Sequence, residues 1–130
     1  MSLDADMTPL EAGRELSERV MPGLETALAK KYDDLLPGFS EWQIGTVYGG
    51  VYARDALDMK TRQLATVAGL AVMGAQTRPQ LKIHVASALK IGAIKREIAE
   101  TILQMSLYGG FPAAINALNA AMEVFDEEET

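Results

Sequence analysis

The chain has 130 residues and a mass of 14.0 kDa, enough for one domain with a real core and too few for two. Its 48% apolar content excludes disorder, and a net charge of −6 with a pI near 4.7 argues against a nucleic-acid backbone as partner. With no cysteine there is no disulfide framework, thiol nucleophile or thiolate metal ligand, and no apolar run reaches the roughly 18 residues that a membrane span needs.

In chain order, the acidic start Met1 to Asp6 lacks the basic and apolar regions of a signal peptide, so a cytoplasmic protein is expected. Thr8-Pro9-Leu10-Glu11 is a capping box with proline at the first helical position, and the helix it opens runs to about Val20, where Met21-Pro22-Gly23 breaks it. A second helix is expected over Leu24–Leu36, closed by Pro37-Gly38. Phe39 to Tyr52 is apolar and aromatic, but Gly45, Gly49 and Gly50 weaken its helical character and suggest close approach of another backbone or a ligand. Asp58 caps a strongly amphipathic helix carrying Leu64, Val67, Ala68, Ala71 and Val72, and Gly74 ends it. After the turn Gln76-Thr77-Arg78-Pro79, the next helix sets Leu81, Val85, Ala88 and Leu89 at one-turn spacing with His84 on or beside that face; Gly92 stops it. A further helix bears Ile98, Ile102 and Met105 and ends at Tyr108-Gly109-Gly110. Pro112 opens the last, in which Ile115, Leu118, Met122 and Phe125 read as a seam packed on a partner. Negative charge at Asp126–Glu129 opposes the helix dipole, so the tail is expected to fray. No stretch alternates long enough for a strand. The expectation is an all-α bundle of six or seven helices forming one domain over residues 1–130.

Between Arg54 and Arg96 eight basic side chains face two acidic ones, so an acidic protein has a basic middle. That middle could attract a small anion, or its charges could simply be solvated helix faces. His84 is the one side chain that titrates near neutrality; it is either a proton donor or acceptor, or a core histidine hydrogen-bonded to a neighbour. One histidine without paired carboxylates lacks the ligand count of a metal site. Tyr108-Gly109-Gly110-Phe111-Pro112 is either a tight helix junction or an anion site at the N-terminus of the last helix. Tyr48 through Arg54 could line a pocket with rings and supply a cation, or pack as an aromatic cluster. Arg54 or Arg62 would suit a carboxylate, which a guanidinium pairs bidentately.

The joint pattern Leu57-Asp58-Met59-Lys60-Thr61-Arg62-Gln63-Leu64, Leu81-Lys82-Ile83-His84, Ala88-Leu89-Lys90-Ile91-Gly92-Ala93, Glu97-Ile98, Gln104 and Tyr108 to Ala114 resembles the carboxymuconolactone decarboxylase family. The resemblance covers about residues 37–125, leaving the acidic tail 126–130 outside. It implies an alkylhydroperoxidase D-like helical bundle assembled as a homo-oligomer, either a trimer or, the favoured state, a hexamer. The cysteine-dependent branch of that family uses a Cys-x-x-Cys pair where this chain has Thr77 and Gln80, so peroxidase chemistry is not expected. The other branch implies a cofactor-independent conversion of 4-carboxymuconolactone to 3-oxoadipate enol-lactone and CO2, or a close relative of it. In that reading His84 is catalytic, as proton donor or oxyanion partner. Arg54 and Arg62 hold carboxylates, and Tyr48, Tyr108, Gly109 and Gln80 line the substrate site. Members tend to carry glutamate at the Gln63 and Gln80 positions and cysteine at the Gly109 position, which implies that His84 here lacks an acid to raise its pKa and fix its tautomer. The other reading of the same residues is a divergent, non-redox helical oligomer that binds a ligand or serves as structure.

Overall fold

The computed structural model describes residues 6–128 and is all-α: seven α-helices, one π-helical segment and one 3₁₀ turn, with no strand among the described residues. The chain packs as two compact units divided after Met59.

In the first unit, α1 (Pro9–Val20) starts as its capping sequence dictates, with Thr8 Oγ1 accepting from the Glu11 N–H at 3.1 Å. It buries Ala12, Gly13, Leu16, Ser17 and Val20, one helical stripe. Helix α2 (Leu24–Tyr32) stops one turn short of the expected Leu36. The reason lies in Asp33, whose carboxylate reaches forward to accept from the Ser40 N–H (2.9 Å) and Oγ–H (2.7 Å), capturing a donor that the first turn of α3 (Phe39–Gln43) would otherwise leave unpaired. Leu35 and Leu36 are left exposed in the turn.

The weak helix expected over Phe39–Tyr52 is in fact continuous. Helix α3 runs on as a π-helical segment, Ile44–Tyr52, whose wider turn is visible in the Ala53 N–H to Tyr48 carbonyl bond of 2.8 Å. Glycine propensity is overridden because α1 lies directly against this segment. A Cβ on Gly13 would stand 2.3 Å from the Ile44 carbonyl oxygen, and one on Gly49 would stand 1.8 Å from that of Pro9. The close approach suggested by the glycines is therefore an approach of backbone to backbone.

The division falls after the first residue of α4 (Met59–Val72), so the second unit holds the rest of that helix, the 3₁₀ turn Gly74–Thr77, α5 (Arg78–Lys90), α6 (Lys95–Gly109) and α7 (Phe111–Glu128). Its core joins Val67 and Ala71 of α4, Leu81 and Val85 of α5, and Ile98 and Ile102 of α6 to a small-residue face of α7. Thr77 fixes the α4–α5 corner by donating its hydroxyl to the Leu70 carbonyl at 2.6 Å. Gly92, at φ +111°, makes the turn into α6.

For α7 one expectation, the frayed tail, needs correction, and the helix buries a face other than its bulky seam. Its buried face is Ala114, Ala117, Ala120, Ala121 and Val124; of the expected seam, Leu118 and Phe125 pack only partly on the core, while Ile115 and Met122 are exposed. Small residues let α7 sit close, and the bulky ones flank or oppose that contact. The acidic tail does not unwind within the described residues: helix continues to Glu128, with Lys82 Nζ 3.7 Å from Glu127 offsetting part of the charge. Glu129 lies outside the described residues.

Candidate functional site

Helix α5 carries His84 one position from its buried stripe of Leu81, Val85 and Ala88, so the ring is half-buried rather than enclosed. Its partner comes from α4. There Met59, Gln63, Val67 and Ala71 recur every fourth residue and are all buried, which places a polar amide in the middle of an apolar face. Gln63 is fully buried, and its Oε1 lies 2.9 Å from His84 Nδ1. The amide nitrogen, Nε2, is buried without a hydrogen-bond partner among the described residues.

Burial holds the His84 pKa below the usual histidine value, and a neutral amide supplies no charge to oppose that shift. The imidazole is therefore neutral near pH 7, with Nδ1 engaged by Gln63. Gln63 orients the ring without charging it, so an amide stands where an acid would have raised the pKa. The periodicity of α4 was the available signal, since Gln63 stands four residues before Val67 and eight before Ala71.

The other candidate residues are distributed more widely. Gln80 is exposed in the first turn of α5, and Arg62, next to Gln63 on α4, is half-buried. Tyr108 is 73% exposed near the end of α6. Gly109 is used for packing, since a Cβ there would lie 2.8 Å from the Val72 Cα of α4. In the first unit, Tyr48 is buried and stacks edge-on against Tyr52 with ring centroids 5.1 Å apart. Burial pushes its phenol up, so it stays protonated at ordinary pH. Arg54, on the turn after the π-helical segment, is exposed and lines a small cavity of about 50 Å³ with Asp55 and Asp58.

The basic middle is also less bare than its composition suggests. Lys60 pairs with Glu97 at 2.7 Å, Arg78 with Glu123 and Lys82 with Glu127, so acids from α6 and α7 neutralise part of it. Among the described residues no three histidine, aspartate or glutamate side chains cluster as metal ligands. No described helix is long and apolar enough to cross a membrane.

An all-α chain that sets a half-buried imidazole against a buried amide has a hydrogen-bonding site there and, without cysteine, no thiol one. The carboxymuconolactone decarboxylase family model matches residues 39–123, and the chain belongs to that family. It is 41% identical over 120 residues to an uncharacterized 15.0 kDa protein of Paracoccus denitrificans, covering 92% of this chain and 90% of that one. It is 38% identical over 80 residues to 4-carboxymuconolactone decarboxylase of Acinetobacter baylyi, covering 62% of this chain but 58% of the relative's length. It is also 31% identical over 107 residues to nitrosuccinic acid decarboxylase of Metarhizium robertsii, covering 80% of this chain and 71% of that one. Two of these relatives are decarboxylases, which supports a decarboxylase-like role.

Proposed function

We propose that the chain is a cofactor-independent carboxy-lyase that takes 4-carboxymuconolactone to 3-oxoadipate enol-lactone and CO2, or carries out a close relative of that reaction, as a cytoplasmic homo-oligomer. It does not act as a cysteine-dependent peroxidase; the sequence has no cysteine. The observation that carries the reading is the oriented, neutral His84 on Gln63, in a chain whose relatives include two decarboxylases.

The chemistry asks little more of the protein. Loss of CO2 from the ring carbon leaves an electron pair that spreads onto the lactone carbonyl, and in nitrosuccinic acid the nitro oxygens can take the same role. What lowers the barrier is a preorganised donor aimed at the oxygen where charge develops, in a place shielded from water. His84 is that group in this reading, with Arg54 and Arg62 as the candidates to hold carboxylates and Tyr48, Tyr108, Gly109 and Gln80 as candidates to line the substrate site. The oligomer is supported by the exposed apolar residues Leu103, Leu107, Tyr108, Phe111 and Ile115 along α6 and α7, which a second subunit would cover.

Purified protein given 4-carboxymuconolactone is expected to release CO2, and His84→Ala to lower kcat at least about 100-fold, the usual loss on removing such a donor. Unchanged turnover in that variant overturns the assignment. The second reading, a helical oligomer without catalysis, is favoured by the hydrogen bond that already occupies Nδ1 of His84. Under it, His84→Ala lowers only the melting temperature, and no carboxylated lactone raises that of the unsubstituted protein.

A further inference from the structure

The contact between Gln63 and His84 leaves the amide nitrogen buried with nothing to donate to among the described residues. A buried N–H without a partner is rarer and costlier than an under-used carbonyl. The two ends of a primary amide have almost the same shape. Turning the group by about 180° keeps the contact with Nδ1 but makes it an N–H donated to that nitrogen. One donor remains unpaired instead of two, and a carbonyl occupies the place of the orphaned nitrogen. A ring nitrogen that accepts a hydrogen bond carries no proton, so the proton of neutral His84 then resides on Nε2, the nitrogen that Gln63 does not touch.

We propose that Gln63 is a positioning residue that holds His84 as a neutral Nε2–H donor, so that His84 stabilises the oxyanion by a hydrogen bond and keeps its proton. This rests on the decarboxylase reading above. Burial of the ring favours the same neutral form. A neutral imidazole that surrendered its proton would become an imidazolate, too strong a base to form near neutrality, so the proton that reaches carbon has another source. The carbon–carboxylate bond breaks, its electron pair moves to the oxygen of the electron-accepting group facing Nε2–H, and CO2 leaves. The pair then returns from oxygen as water protonates a carbon of the delocalised system, for the enol-lactone the one beside the lactone carbonyl, and the hydroxide left combines with CO2 as bicarbonate. The substrate class is a carboxylate whose carbanion can delocalise onto a carbonyl or nitro oxygen.

His84 is the only histidine in the sequence, so a long-range ¹H–¹⁵N spectrum of uniformly labelled protein reports a single imidazole without assignment. At about pH 7 the expected pattern is neutral with the proton on Nε2; an imidazolium, or a ring protonated on Nδ1 alone, overturns the proposal. Gln63→Glu is expected to shift the ring toward imidazolium, and Gln63→Met to give a tautomer mixture with kcat lowered about tenfold and KM little changed. Should neither variant fold, the spectrum of the unsubstituted protein decides alone. An Nε2–H ring in a protein that releases no CO2 from lactone or nitro acids defeats the decarboxylase reading and the oxyanion role with it, leaving only the amide's orientation. CO2 release from a protein whose ring is an imidazolium defeats this inference and leaves that reading intact.

Discussion

Gly49 lies so close to Pro9 that a methyl group on it would stand 1.8 Å from the proline carbonyl oxygen. The obstacle is main chain, which cannot swing aside as a flexible side chain does. Gly49→Ala is therefore expected to destabilise the protein by about 3 kcal/mol or to prevent folding, the upper end of overpacking costs. Gly69 on α4 is the control: among the described residues nothing lies within 4 Å of a Cβ there. Gly69→Ala should stabilise by about 0.5–1 kcal/mol through helix propensity alone. Urea unfolding of both variants checks the pair, and equal effects would refute the close-packing account.

Helix α6 begins with half a capping box. Glu97 Oε1 accepts from the Ile94 N–H at 3.0 Å, but Ile94 has no side-chain oxygen to return the bond, and it is 58% exposed in extended backbone geometry. Ile94→Thr completes the box and is expected to add about 1 kcal/mol of stability. Thermal and denaturant unfolding measure it, and a loss of stability would show that Ile94 contributes a contact worth more than the cap.

The pH dependence of folding follows from the buried ring. In the unfolded chain the histidine takes up its proton near 6.5, whereas burial makes folded His84 hold out to lower pH. Between those two values the unfolded state binds more protons, so the contribution is whole above about 6.5 and is lost as pH falls through that window. His84→Asn should flatten this part of the stability profile. Superimposable profiles from stepwise denaturation of the two proteins would contradict it.

Exposure of Leu107 (77%) beside Leu103 and Tyr108 on α6 makes a specific expectation for assembly. If subunits meet on this face, Leu107→Asp places a charge in the contact and should lower the molar mass measured by light scattering, with helix content unchanged. An unaltered oligomer would move the interface elsewhere.

Much of the fold was written in local chemistry. Thr8 and Pro9 start α1, Gly92 and Gly110 separate the last three helices, and the spacing of Leu81, Val85 and Ala88 marks the inner face of α5; each of these acts within one or two turns of chain, where residue type alone decides. His84 was legible as the candidate group for the same reason, being the sole imidazole on a helix with a defined face.

What tertiary structure decided are the features that depend on residues far apart in sequence. Gly45, Gly49 and Gly50 weaken a helix in isolation, but α1 packed on the backbone at Gly49 makes the π-helical segment the favoured state. Asp33 ends α2 early because Ser40, seven residues on, offers its carboxylate two donors. Gln63 becomes the orienting partner of His84 only when α4 and α5 meet, 21 residues apart in the chain. Periodicity can say which side of a helix is buried; it cannot say which polar atom waits on the helix opposite, because a hydrogen bond is fixed by distances that only packing sets.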